Sequence, residues 1–315
     1  MGEQTGGKTG GRGGAELRGS VRVEPRGPFS LTAGIRFLEG FTPAAREAAG
    51  ADSLEAAFAL EGSWRTVGVS VAQDAAGTVR GRLFAERALG RAELSAATAQ
   101  LTRILSLDVD GSGFAAVGER DPVIGALQRR YPGLRPVAFW SWYEAAAWSI
   151  IGQRTRMTQA AALKQRMAAE LGETVVVNGG PQQAFPAPRV LAGLGSFPGL
   201  PAPKVERLRA LGEAAAANRF DSAGLRALPR EEALAALQEL PGIGPFSAEL
   251  ILLRGAGDPD HAPLHEGRLA DAVQHAYGLA TRPTPDELER LSAGWAPYRT
   301  WVTLLLRVAL DEASR

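Results

Sequence analysis

The chain contains no cysteine. Disulfides, thiolate zinc sites and iron–sulfur clusters are excluded, and a cytoplasmic location is expected. Histidine is scarce as well, with three residues. His261, His265 and His275 do not form the H-E-x-x-H pattern of a zinc-binding helix, so no histidine-held metal is expected. Charge of one sign is also lacking, since 35 Lys and Arg against 34 Asp and Glu leave a net charge of +1. A nucleic-acid binder usually carries a basic excess, so any polyanion-binding surface here must come from local arrangement. No apolar run approaches the roughly 20 residues of a membrane span, and the N-terminus carries no apolar signal segment. No membrane partner is expected.

What is present is ordinary globular material: 45% hydrophobic and 22% charged residues over 315 positions, enough for two domains. Residues 1–19 are Gly-rich without apolar periodicity and read as a disordered tail. From residue 20 to about 120 the pattern is that of a small α+β unit. Val67, Val69 and Val71 recur at period two, the run "GTVRGRLFA" follows after Asp74–Gly77, and the pair reads as a hairpin. Leu94, Ala97, Leu101, Ile104 and Leu105 mark an amphipathic helix. From 121 to 315 the texture is helical. Asp121-Pro122 is a helix start, Gly152 suggests a break between helices, and "TVVVNGG" is a short extended or loop piece. The expected class is mostly α with an N-terminal α+β domain.

Two loops invite a ligand. "DVDGSGFAAVGE" places Asp108, Asp110, Ser112, Gly113 and Glu119 at calcium-loop positions, but a single copy between helices reads better as an ordinary turn. The second loop is Leu240-Pro-Gly-Ile-Gly-Pro245, between two apolar helical runs in a helix–turn–helix at about 231–256. Its glycines permit backbone angles closed to other residues and close approach of another chain. Its N–H groups beside a helix N-terminus suit a phosphate. A plain helix–helix connection is the alternative.

The hairpin resembles that of the helix-hairpin-helix DNA glycosylase superfamily, and within it the bacterial 3-methyladenine DNA glycosylase II branch. The likeness extends to "YEAAAWSIIGQRTRMTQAA", to "FPAPRVLAGL" with "KVERLRALGEAA", to "WAPYRTWVTLLLRVAL", and to the connector "LSLDVDGSGFAAVGERDPVIGALQRRYPGLRP". It covers about residues 20–312. The resemblance implies a two-lobed helical core with a cleft between lobes. It also implies a DNA-repair activity, hydrolysis of the N-glycosidic bond of a damaged, alkylated base flipped out of double-stranded DNA. A monomer without cofactor is expected.

The same resemblance assigns residues. The family places an aspartate on the loop after the second hairpin helix, and counting from Gly244 without a gap brings that position to Glu266. Glutamate keeps the charge but adds a methylene, about 1.5 Å. Misplacement on that scale can cost roughly a hundredfold in rate, so a catalytically weak or inactive lesion-binding protein is the alternative. Asp258, Asp260 and Asp271 are fallback carboxylates. Phe246 stands where lyase-active relatives carry a lysine, which implies a monofunctional enzyme. Phe246, Arg307 and Trp301 are expected to line the base pocket, with Arg307 where the branch stacks a tryptophan. Gln153, Arg154, Gly242, Gly244, Pro245, Phe246 and Ser247 are expected at the DNA, with Arg154 at the wedge position. Main-chain carbonyls of Gln238, Leu240 and Ile243 match those that hold a structural sodium or potassium ion.

Overall fold

The computed structural model describes residues 16–40 and 52–314, and residues 1–15 of the expected tail lie outside them. Residues 16–19 of that tail are a correction, because they already belong to a strand, β1 (Glu16–Val23). Pairing with another strand orders a segment that is not apolar enough to signal itself. β1 joins β2 (Ser53–Ala59), β3 (Thr66–Gln73) and β4 (Val79–Ala85) in an antiparallel sheet of order β1-β4-β3-β2. The β3–β4 hairpin forms as the alternation requires. Its turn is closed by Asp74, whose carboxylate accepts from the Ala76 and Thr78 amides, an Asx arrangement that stabilises such turns.

One face of the sheet packs on α1 (Leu31–Gly40) and α2 (Arg91–Ile104), where Val67, Val69, Val71, Leu83, Leu101 and Ile104 share an apolar cluster. The opposite face is covered too. The stretch read as extended or loop folds into β5 (Thr174–Val177) and β6 (Gly180–Gln183), and Val175 and Val177 pack on Ala57 and Phe84.

The helical part follows as α3 (Ala115–Arg120), α4 (Pro122–Arg130), α5 (Trp142–Gly152), α6 (Met157–Leu171), α7 (Pro188–Ala192), α8 (Ala202–Ala216), α9 (Ser222–Ala227), α10 (Arg230–Gln238), α11 (Pro245–Leu250), α12 (Gly267–Tyr277), α13 (Pro285–Ala293) and α14 (Arg299–Ala313). Asp121 caps α4, accepting from the Val123 and Ile124 amides. The apolar residues form two helical clusters. One is built on α5–α11, and the other on α3, α4 and α12–α14. Val117 of α3, on the N-terminal side of the expected boundary at 120, packs in the second helical cluster. Among the described residues no helix is long and apolar enough to cross a membrane.

Helix α11 runs on into a π-helical turn, Ile251–Gly255. Such a turn shifts side chains around the helix axis and recurs at functional sites.

Arg103 locks the N-terminal unit to the helical core. Its guanidinium is 6% exposed, donates to the carbonyls of Phe139, Trp140 and Gly255, and lies 3.5 Å from Glu61. Burial lowers its pKa. Removing one partner from such a buried polar network costs about 3–5 kcal/mol. Arg103→Ala should therefore lower the free energy of unfolding by about that amount, measured as a shift of the urea midpoint.

Candidate active site

Helices α1, α4, α11 and α14, with the start of α12, converge on a cavity of about 570 Å³. That is within the roughly 300–1,000 Å³ typical of small-molecule sites. Glu266 is the N-cap residue of α12, but its side chain makes no capping bond. It reaches α14 instead, where Arg307 Nη1 lies 3.0 and 3.2 Å from its two carboxylate oxygens. Both side chains line the cavity, with Glu266 16% and Arg307 30% exposed. Arg307 therefore braces the carboxylate without filling the space beside it.

The fallback carboxylates are elsewhere. Asp258 pairs with Arg230, Asp260 with Arg299 and Asp271 with Arg282, and none of the three lines the cavity.

Trp301 is a correction. It is 1% exposed, meets Phe114 and Tyr298 at 5.2 and 5.1 Å between ring centroids, and lies 4.8 Å under the Arg135 guanidinium. The cavity face of α14 is the helical repeat Thr300, Thr303, Leu304, Arg307, Val308 and Asp311. Trp301 falls off that stripe, onto the face turned to the core.

Several lining residues were not foreseen. Glu249 of α11 pairs with the His261 imidazole, and His261 exchanges backbone hydrogen bonds with the Thr300 hydroxyl. At the rim Asp311 pairs with Arg268, and Glu312 with Arg130. The π-helical turn directs Arg254 to the cavity wall, where it donates to the Val137 carbonyl and lies 5.3 Å over Phe37. Burial, aided by the nearby Arg307 charge, pushes its pKa down to about 9. A sequence signal existed for some of these. Glu249 follows Phe246 by one helical turn, and Thr303 precedes Arg307 by another.

The hairpin adjoins this cavity through Phe246, which is 63% exposed and stands among the lining residues. Gly242 sits at φ +85°, and a Cβ there would come within 2.4 Å of Arg207 Cδ. Gly244 has ordinary backbone angles and nothing within 4 Å of its missing Cβ, so it leaves open surface. Pro245 occupies the first turn of α11, where its missing N–H is no loss. The Phe246 and Ser247 amides belong to that first turn, ahead of the intrahelical ladder. Ser247 is buried, so of the two residues it is Phe246 that faces outward.

Gln153 ties this hairpin to the α5–α6 turn. Its Nε2 donates 2.6 Å to the Gly242 carbonyl, and its Oε1 accepts at 2.6 Å from Arg207. Lys204 braces the same turn through the Ile151 carbonyl and the Thr155 hydroxyl. Arg154 beside it is exposed and held at φ +51°, uncommon for a non-glycine residue and a mark of functional strain in many sites. In the connector loop, Asp108 pairs with Arg226, and Asp110 accepts from Ser112, so the two lead carboxylates of the calcium pattern are drawn to separate partners.

No family model matches the chain. It is 24% identical over 204 residues to a DNA-3-methyladenine glycosylase of Bacillus subtilis, covering 64% of this chain and 67% of that one. It is 30% identical over 222 residues to a probable bifunctional transcriptional activator/DNA repair enzyme AlkA of Mycobacterium tuberculosis, covering 70% of this chain and 44% of that relative. The chain thus spans less than half the length of the second. Among solved structures it superposes on a 3-methyladenine DNA-glycosylase from Archaeoglobus fulgidus with a TM-score of 0.74 at 20% identity, covering 91% and 97% of the two chains. An 8-oxoguanine glycosylase/lyase of Clostridium acetobutylicum in complex with double-stranded DNA gives 0.58 at 14% identity over 81% and 87%.

The two hairpin glycines should separate cleanly. Gly242→Ala forces both a left-handed backbone and a clash, and should cost more than about 1 kcal/mol. Gly244→Ala should stay within about 0.5 kcal/mol of the parent. Thermal unfolding of the two variants measures the contrast.

Proposed function

We propose that this chain, which belongs to the helix-hairpin-helix DNA glycosylase superfamily and its 3-methyladenine glycosylase II (AlkA-like) branch, acts as a monofunctional, monomeric DNA glycosylase on a damaged base. The observation that carries the reading is the position of Glu266, on the wall of a base-sized cavity that the hairpin residue Phe246 also lines. The target atoms of a damaged nucleotide are shielded in the stack, so the nucleotide must be extruded before chemistry. The hairpin amides would grip the backbone, and exposed Arg154 would occupy the gap left in the duplex. Carbonyls of Gln238, Leu240 and Ile243 would hold a sodium or potassium ion there. The Leu240 carbonyl already accepts from the Ile243 amide and has its second lone pair for an ion.

Cleavage of the glycosidic bond builds positive charge on the sugar. A fixed carboxylate in a water-poor site stabilises that charge and orients a water for attack. Arg307 fixes the longer Glu266 side chain in one place, which answers the extra methylene, but it also offsets part of the negative field. A lyase step would need an amine near the sugar. Phe246 supplies none, and Lys164 and Lys204, the lysines among the described residues, do not line the cavity. This supports hydrolysis by water.

The Glu266–Arg307 pair also favours a second reading, lesion binding without turnover, and one assay separates the two. Duplexes carrying single lesions are incubated with the protein and probed for strand breaks with and without alkali. Breaks should appear only after alkali, and Glu266→Gln should slow base release at least about a hundredfold. Undiminished release by that variant rejects the assignment of Glu266. Absence of release from every lesion, with retained binding, supports the second reading. In the same series Gly244→Ala should weaken DNA affinity while folding normally.

A further inference from the structure

The loop of residues 256–266 carries Glu266 at its end, where α12 begins. Its α14 side is laced by short polar bonds. The Thr300 amide donates 3.1 Å to the Pro259 carbonyl, the His261 amide donates 3.1 Å to the Thr300 hydroxyl, and that hydroxyl donates 3.0 Å to the His261 carbonyl. From His261 the chain has little slack on its way to the acid. Ala262 and Pro263 are buried, and the Glu266 amide donates 2.9 Å to the Pro263 carbonyl. A shift at His261 is therefore passed on to the backbone of Glu266.

Toward α11, the helix that follows the hairpin turn, the same residue reaches with its side chain. The His261 imidazole pairs with Glu249 through Nε2, and both residues line the cavity together with Glu266. An ionised carboxylate only accepts hydrogen bonds, so the bonded Nε2 carries the proton, and the bond holds whether the ring is neutral or charged. The two side chains are 19% and 21% exposed. A polar pair so placed costs desolvation that an apolar contact would avoid. What it supplies in return is direction, because a hydrogen bond fixes both distance and angle. Glu249 stands one helical turn after Phe246, on the helix headed by the hairpin amides.

We infer that the Glu249–His261 pair is a positioning latch. It ties the loop bearing Glu266 to the hairpin helix, so that the element that grips the DNA backbone and the acid that acts on the sugar keep one spacing. This rests on the glycosylase reading above and adds to it two residues that act through Glu266 without touching the reacting atoms. Arg307 sets the direction of the carboxylate, and His261 sets the place of the backbone from which it extends. Displacement of a reacting group by about 1 Å can cost roughly a hundredfold in rate, which is the leverage the latch has.

The test uses the full chain and duplexes carrying hypoxanthine or 7-methylguanine, with single-turnover base release measured below the melting temperature of every variant. His261→Ala should slow release about tenfold or more, while affinity for a duplex with a tetrahydrofuran abasic site stays within about twofold of the parent's. Glu249→Ala should show the same loss, and the double variant no more than either single change, as one shared interaction requires. His261→Gln, whose side-chain amide can still donate to Glu249, should recover most of the rate. In the Glu266→Gln background His261→Ala should have no further effect, because the latch acts through that carboxylate. An unchanged rate in His261→Ala, additive losses in the double variant, equal slowing with and without the Glu266 carboxylate, or a His261→Gln variant as slow as His261→Ala would each overturn the inference. Those outcomes leave the glycosylase reading standing. Absence of release by the parent from both duplexes and from methylated DNA removes that reading and the inference with it.

Discussion

The site is organised by one ion pair, Glu266 with Arg307. It joins the N-terminal residue of α12 to the cavity face of α14. A glutamate at a helix N-cap has a local alternative, accepting from the helix's own first amides, and here the carboxylate does not take it. The guanidinium therefore decides where the acid points. Removing Arg307 would leave Arg254 as a nearby positive charge and free the carboxylate to turn back onto its own helix. The pair has a chemical consequence too. It leaves a fixed dipole in the cavity where an unpaired carboxylate would leave a net charge.

The surrounding architecture makes this small arrangement durable. The cavity is roofed by α1 of the N-terminal unit and walled by elements of both helical clusters, so any hinge between them would open it. Arg103 opposes that motion by carrying a buried guanidinium from α2 to carbonyls of the helical core. On the hairpin side, Gln153 and Arg207 hold the Gly242 carbonyl and the α5–α6 turn in register. Strain at Arg154 is tolerated because this network fixes the residues next to it. The hairpin and the α5–α6 turn that carries Arg154 are thus held in one frame.

Much of this was legible in the chain itself. The β3–β4 hairpin, the capped start at Asp121, the break at Gly152 and the helix–turn–helix at 231–256 follow from local rules of periodicity and turn chemistry, and they appear where those rules put them. Glu266, reached by counting from Gly244, lies on the cavity wall. Trp301 was not placed correctly, since a tryptophan near a family stacking position suggests a pocket, while helix phase turns it to the core. Thr303 and Glu249 were legible in principle as helical neighbours of Arg307 and Phe246. Arg254 and His261 were not. The first depends on a π-helical turn that no residue pattern announces, and the second on a loop path that only tertiary packing determines. The start of β1 was hidden because a glycine-rich segment takes its order from the strand beside it.

The central claim is that Glu266, although paired with Arg307, stabilises positive charge at the sugar position. The most direct measurement is the affinity for two duplexes that differ only at an abasic site, one carrying a neutral tetrahydrofuran and the other a cationic pyrrolidine that mimics the charge of the transition state. The parent protein should bind the cationic duplex at least about tenfold more tightly, and Glu266→Gln should abolish that preference while binding the neutral duplex as before. Equal affinity of the parent for both duplexes, or a preference that survives in the variant, would contradict it.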